Sequence, residues 1–263
     1  IELEDCRLPW WTVGDGPDVV LVHGWPLDAR TWRGVLPALA QHFTCHLIDL
    51  PGAGRSEWNE RTRVGLAENC VTLQRAIDHM GLREYGLVAH DSGAFFARVV
   101  AARDKRVFGL VLGNTEIPGH RPWQVKAYVL GTKVPGGTAL FRLMLRSRWA
   151  RRLPLILGSC FHDMDVADAE FKTLFIDPLI HSDEAMAGQM LLAEHLDFTV
   201  VDQLFETHPQ IQAPVQLLWG AGDTFFPLKM VEEMMSQFGG ETELHVFDPG
   251  KLFIHEEYAD RFG

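Results

Sequence analysis

Three polar side chains stand side by side at His90, Asp91 and Ser92, between the apolar run "YGLVA" and the stretch "GAFFARVV" with helical spacing. A chain that turns so tightly from strand to helix holds up one side chain for chemistry, and each of the three implies a different reaction. In such an elbow the residues two before and two after the nucleophile must be small, because strand and helix crowd there. Centred on Ser92, the flanks are His90 and Ala94, and His90 is too large. Centred on His90, they are Val88 and Ser92, which fit poorly. Centred on Asp91, they are Ala89 and Gly93. The size rule selects Asp91. The plainer alternative is that Asp91 only caps the following helix, since Asp and Ser are good N-caps.

Further residues fall where such an elbow needs them. A strand ending in "VHGWP" precedes the corner, and at His23–Gly24–Trp25 the backbone N–H groups can turn toward the carboxyl edge of a sheet. Ligands bind at that edge in open parallel sheets. "LLWGAGDTFFP" places Asp223 just past a strand, and "FDPGKLFIHEEYAD" places His255 just past the last one. The chain order nucleophile, acid, base is the one expected of an α/β-hydrolase.

On "HGWP" (23–26), "DLPGAGRS" (49–56), "AHDSG" (89–93), "WGAGD" (219–223) and His255, the chain resembles the α/β-hydrolase superfamily over essentially its whole length. Within it, the chain is similar to the epoxide hydrolase and haloalkane dehalogenase branch. The resemblance implies Asp91 as nucleophile, His255 as base and Asp223 as its orienting acid, with an oxyanion hole from the backbone N–H groups of Trp25 and Ser92.

An aspartate at that corner points to a saturated carbon. A serine attacking there would leave an ether, a dead end. A carboxylate needs no activating base near neutral pH at its ordinary pKa, and it leaves an ester that water can open. In the reading the resemblance gives, water activated by His255 attacks the Asp91 carbonyl, and the oxyanion hole serves that second step. Ester or amide hydrolysis is disfavoured, because attack by Asp91 would give an anhydride. Members that release halide carry a Trp directly after the nucleophile, where this chain has Ser92; Trp25, Trp123 and Trp149 are the other indole candidates. Members that open epoxides polarise the ring oxygen with two tyrosines or a tyrosine and a histidine. Here Tyr128 is the one tyrosine between residues 117 and 209, and His120 is among the histidines that could partner it. The reading leans to the epoxide. A binding or sensor protein without turnover, and an atypical esterase using Ser92, are the alternatives.

Other motifs carry less. "PGAGRS" lacks the third glycine of a dinucleotide fingerprint and reads as a tight turn. Glu116, just after a strand in "GNTEIPGH", is the alternative acid, placed behind Asp223. "FHDMD" and the scattered histidines match no metal-ligand spacing, so no metal and no cofactor is expected.

These residues need a scaffold, and the chain supplies alternating periods. "DVVLVHG", "TCHLIDL", "YGLVAH" and "VFGLVLGN" are short apolar strands. "RTWRGVLPALAQHF", "LAENCVTLQRAIDHMG" and "GAFFARVVAAR" are helical, the second being the clearest, with Gly81 as its stop. The rhythm lapses between residues 117 and 209 into helical pieces broken by Pro and Gly. It resumes with "VQLLWG", "LKMVEEMMSQF" and "ELHVF". The expected fold class is α/β: a doubly wound, mostly parallel sheet formed by residues 1–116 and 210–263, with an inserted helical cap at 117–209.

Bulk composition is ordinary for a soluble globular protein. The 263 residues carry a net charge of −11, 47% hydrophobic and 22% charged residues. No basic cluster or long apolar run marks a nucleic-acid or membrane partner. The four cysteines are scattered without a C-x-x-C pair, as expected in a reducing cytoplasm. The start at Ile1 and the end in the helix-like "EEYADRFG" read as trimmed termini. The expected partners are water and a small, largely apolar organic substrate. The oligomeric state is left open.

Overall fold

A computed structural model describes all 263 residues. Nine strands are present: β1 (Cys6–Arg7), β2 (Trp10–Val13), β3 (Asp18–Val22), β4 (Thr44–Ile48), β5 (Glu57–Trp58), β6 (Tyr85–His90), β7 (Val107–Gly113), β8 (Val215–Gly220) and β9 (Thr242–Phe247). Seven of them form one sheet in the order β2-β4-β3-β6-β7-β8-β9. β2 runs antiparallel to β4, and every other neighbouring pair is parallel. β1 and β5 make a separate antiparallel pair.

The continuous apolar runs follow from burial of both sheet faces. Val20 and Val22 of β3 join Leu87, Ala89, Leu110 and Leu112 in the larger core, beneath the helices Leu66–Met80 and Ser92–Ala101. Their alternates Val19 and Leu21 join Val88, Leu218 and Trp32 on the other face. The helix Leu66–Met80 buries Leu66, Cys70, Leu73 and Ile77. It stops at Gly81, whose φ of 70° is the left-handed conformation a residue without Cβ adopts freely.

The structure departs from the sequence reading in two places. The helix expected from Arg30 to Phe43 is broken into a 3₁₀ turn, Ala29–Arg33, and a single α-turn, Leu36–Leu39. Pro37 has no N–H to give to a preceding carbonyl, so it starts a new turn and does not continue the old one. The edge strand β2, "WWTV", shows no alternation because every one of its residues is exposed.

Between β7 and β8 there are helices and no strand. Their side chains, among them Tyr128, Phe141, Leu145 and Cys160, meet the loops after β3, β6 and β8 around one cavity. That cavity lies at the carboxyl edge of the sheet, where a parallel α/β sheet places its ligands.

Candidate active site

The elbow follows from crowding. Asp91 has φ 51° and ψ −133° and is the only non-glycine residue with positive φ. Such strain persists only where the surroundings over-determine it. Here they do: the Asp91 N–H donates to Asn114 O at 3.0 Å, and Thr115 Oγ1 lies 2.9 Å from Asp91 O. A Cβ on Gly93 would stand 2.5 Å from Val22 O, and Ala89 is fully buried. The helix Ser92–Ala101 therefore packs directly on the end of β3, as the size rule requires.

Asp91 does not use its side chain to cap that helix. Its Oδ2 instead accepts a hydrogen bond from the Trp25 N–H at 3.0 Å, and the Ser92 N–H also favours its charged form. These are the two donors expected of an oxyanion hole. They converge because Gly24 lets the β3 loop lie against the elbow: a Cβ there would sit 2.5 Å from Asp91 Cβ and 2.6 Å from Asp91 Oδ2. Gly24→Ala is therefore expected to push the carboxylate off its donors. A displacement of about 1 Å at a reacting group costs about a hundredfold in rate, so hydrolase activity should fall by that much in the variant while its circular dichroism spectrum stays unchanged.

The cavity over Asp91 has a volume of about 60 Å³ and mostly apolar walls. Its ionisable groups are Asp91, Glu116, Tyr128 and Cys160. Burial, reinforced by the charge of Glu116, pushes the Asp91 carboxyl up to about 8. The expectation of a nucleophile already ionised near neutral pH is thereby corrected: in this apolar site the carboxylate becomes abundant only toward pH 8. Burial also raises Glu116, against the opposing pull of Arg98 and Thr115. Tyr128 is raised well above the ordinary phenol value, again chiefly by burial, and so remains an O–H donor.

No histidine lines this cavity. His255 lies at the start of the short helix Ile254–Glu257, fully buried, with Nε2 2.7 Å from Thr31 Oγ1. Thr31 Oγ1 itself donates to Glu256, so His255 Nε2 is the donor to Thr31, and Nδ1 has no partner. Its ring packs on those of His90, at 4.2 Å, and Trp32, at 5.1 Å. It makes no hydrogen bond with Asp91, Asp223 or Glu116. Burial and the neighbouring His90 hold its pKa well below the usual value, so it is neutral. The expected role of His255 as base is not met by this geometry. Leu252, three residues earlier, presents its side chain to the cavity instead.

Asp223 is buried but turned inward. Its Oδ1 accepts from the N–H groups of Phe225 and Phe226 at 2.7 and 3.1 Å, and its Oδ2 from Asn114 Nδ2 at 2.6 Å. Burial pushes it to about 7. With no imidazole beside it, Asp223 holds the turn that carries Phe225 and Phe226 to the cavity wall, and the orienting role expected of it has no partner here.

Glu116, the alternative acid, is the carboxylate that does share the cavity with Asp91. Thr115 Oγ1 sits 2.7 Å from Glu116 Oε2. The fully buried Arg98 donates to Glu116 O at 3.0 Å and to Thr115 Oγ1 at 2.7 Å, and its Nη2 lies 3.8 Å from Glu116 Oε2. Sequence reasoning passed over Arg98 and Thr115. The available signal was a lone arginine inside the apolar run "AFFARVVAA", since a charge on a buried helix face requires a partner.

Among the leaving-group candidates, Tyr128 lines the cavity, 5.4 Å from Trp25 ring to ring, with only a long 3.4 Å contact from its hydroxyl to Ile156 O. Trp25 also lines it, but its indole N–H is committed to Gln189 O at 2.9 Å. Trp123 and Trp149 are 58% and 74% exposed and lie off the cavity. His120 bonds Phe225 O at 2.8 Å and does not reach the cavity wall. Ser92 Oγ is buried beside the Asp91 carboxyl, whose charged form it favours.

A family model described as alpha/beta hydrolase fold matches residues 17–258. The chain belongs to that family. This hydrolase is 27% identical over 235 residues to the pimeloyl-[acyl-carrier protein] methyl ester esterase of Vibrio vulnificus, covering 86% of this chain and 84% of the relative. An epoxide hydrolase structure aligns at a TM-score of 0.78 and 21% identity, over 97% of this chain and 92% of that one. A haloalkane dehalogenase from Bradyrhizobium elkani aligns at a TM-score of 0.76 and 19% identity, over 98% and 95%. At such identities the structural likeness speaks for the fold. No helix of this hydrolase is long and apolar enough to cross a membrane.

Proposed function

We propose that this hydrolase opens an epoxide by forming an alkyl ester on Asp91. The observation that carries the reading is the placement of the Asp91 carboxylate, on a strained elbow and under two backbone N–H groups, in an apolar cavity whose one hydroxyl-bearing aromatic side chain is Tyr128. An Asp91 oxygen attacks a ring carbon, and the C–O bond breaks toward the epoxide oxygen. Tyr128, still protonated, gives its proton to that oxygen. Halide release finds less support, because the indole N–H of Trp25 is already bonded and the other candidate indoles face away. The esterase alternative also finds less support: no imidazole lines the cavity to activate Ser92 Oγ.

The substrate is expected to be a small reactive head on an apolar body. A second apolar cavity of about 210 Å³ adjoins the first and shares Trp25, Tyr128, Phe141 and Ile156 with it. A larger depression of about 1390 Å³ lies between residues 58–68 and Leu191–Val200, but it holds neither Asp91 nor Glu116.

The test is intact-protein mass spectrometry after exposure to a panel of terminal alkyl epoxides, with peptide mapping of the adduct. Addition of the epoxide mass at Asp91 supports the reading; no adduct and no diol from any member of the panel refutes it. The pH dependence gives a second check. Only the Asp91 carboxylate attacks, and its pKa is raised, so the initial alkylation rate should climb with pH. The rise should be about tenfold per unit and level off above about 8. Of the other groups on the cavity wall, Tyr128 and Cys160 are both raised well above their usual values and stay protonated through that window, which leaves Glu116 as the second titrating neighbour.

A further inference from the structure

The alkyl ester on Asp91 must be opened by water, and the structure offers no imidazole to activate it. Each histidine near the elbow is committed elsewhere. His23 bonds Leu50 N and Gly24 O, and His90 Nε2 bonds Leu252 O. His255 bonds Thr31. None of the three lines the cavity. We infer that Glu116 is the general base of the hydrolytic half-reaction, taking the place an imidazole would fill. This rests on the reading of Asp91 as the alkylated residue.

Three observations converge on Glu116. It is the one carboxylate other than Asp91 on the cavity wall. Thr115 Oγ1 lies 2.7 Å from one of its oxygens, Oε2. The same Thr115 hydroxyl lies 2.9 Å from Asp91 O, so the elbow and the base are fixed to each other through one residue. Arg98, fully buried behind them, supplies the cation that keeps a carboxylate stable in such a place.

The two carboxyl groups are suited to successive steps. In the empty site they oppose each other's ionisation. Once Asp91 is esterified its charge is gone, and Glu116 next to Arg98 can carry the single negative charge. Glu116 then takes a proton from water as the water oxygen bonds to the Asp91 carbonyl carbon. The carbonyl electron pair moves to the oxygen facing the Trp25 and Ser92 N–H groups. When the intermediate collapses, the ester C–O bond breaks and the departing alkoxide takes the proton from Glu116. Asp91 is left as a carboxylic acid carrying an oxygen from water, and its proton can return to the Tyr128 phenolate formed in the first step. The sum is epoxide plus water to diol.

The experiment compares wild type with Glu116→Gln on one epoxide that alkylates the protein. Alkylation is itself a folding control, because it needs an intact elbow and hole. Removing the Glu116 charge lowers the Asp91 pKa, so the variant should alkylate at least as fast at pH 7. Release should slow by about a hundredfold or more, and the ester should accumulate to one equivalent on Asp91. In single-turnover release the wild-type rate should rise with pH through one ionisation, and that inflection should vanish in the variant. Multiple turnovers in ¹⁸O-water should label Asp91 in the wild type. The inference is overturned if Glu116→Gln releases product at the wild-type rate, or if the wild type itself keeps its adduct for hours; in both cases the alkylation reading stands. If neither protein forms an adduct or diol, both readings fall together.

Discussion

Asp91→Asn is expected to reduce both alkylation and diol formation by at least about four orders of magnitude, the scale seen when a nucleophile is removed from an otherwise intact site. An amide oxygen carries no charge to displace an alkoxide. The remaining hole and Tyr128 cannot form the bond that splits the reaction into two steps. A stopped-time mass measurement with a reactive epoxide reads this directly; residual adduct at position 91 within a hundredfold of wild type would sink the assignment. The same variant should be more stable than wild type, and increasingly so toward alkaline pH. The folded-state pKa of Asp91 is raised to about 8, far above the unfolded value of about 3.9. Its contribution to stability is therefore fully present below about pH 4 and is lost as pH rises through about 8. Asn is neutral throughout, so the gap in melting temperature between variant and wild type should widen from pH 5.5 to pH 8. A gap that narrows over that range would contradict the assigned burial.

Much of this site was legible in the sequence, because the elbow is governed by size. Gly93 is small for the reason the structure displays, a helix packed against the end of β3 with no room for a Cβ, and Ala89 is fully buried beside it. Gly24 before Trp25 has the same logic. The alternation of strand and helix likewise implies the parallel pairing of the interior strands β3, β6, β7 and β8. The direction of the His255 side chain is not legible, because its position after the last strand says nothing about it. Leu252 and His255 are three apart, a spacing that shares a face on a helix. They straddle the boundary where Phe253, at φ −94° and ψ 54°, breaks the helical phase, and so they point to different sides. The direction of Asp223 is hidden in a related way: "GDTFF" contains its own donors, and the carboxylate closes onto the N–H groups of Phe225 and Phe226. Glu116 ranked second on sequence context alone. Its position depends on Thr115 and Arg98, and a pairing across eighteen residues leaves no local pattern to read.

Arg98→Leu is expected to be the most destabilising single change around the site. The guanidinium is fully buried and bonds Ala94 O, Glu116 O, Thr115 Oγ1 and His208 Nε2 at 3.1, 3.0, 2.7 and 3.2 Å. Burial lowers its pKa only to about 10, so it is charged at neutral pH. Leucine restores the apolar volume of the stem but leaves Glu116 as an uncompensated buried carboxyl and strips donors from three oxygens, the Ala94 and Glu116 carbonyls and the Thr115 hydroxyl. Removing one partner of a buried pair costs about 3–5 kcal/mol. For a chain of this length that corresponds to roughly 6–10 °C in melting temperature. Adding Glu116→Leu to Arg98→Leu should recover part of the loss, because the stranded charge is then gone, whereas two independent defects would add. A thermal melt of the two variants decides between these outcomes, and equal or greater destabilisation of the double variant would mean that Arg98 serves the backbone carbonyls alone. The kinetic consequence has a definite sign. Without Arg98 the Glu116 pKa climbs further, so at neutral pH a smaller fraction is ionised and release of the alkyl ester slows, while alkylation at Asp91 loses only what the loosened elbow costs it.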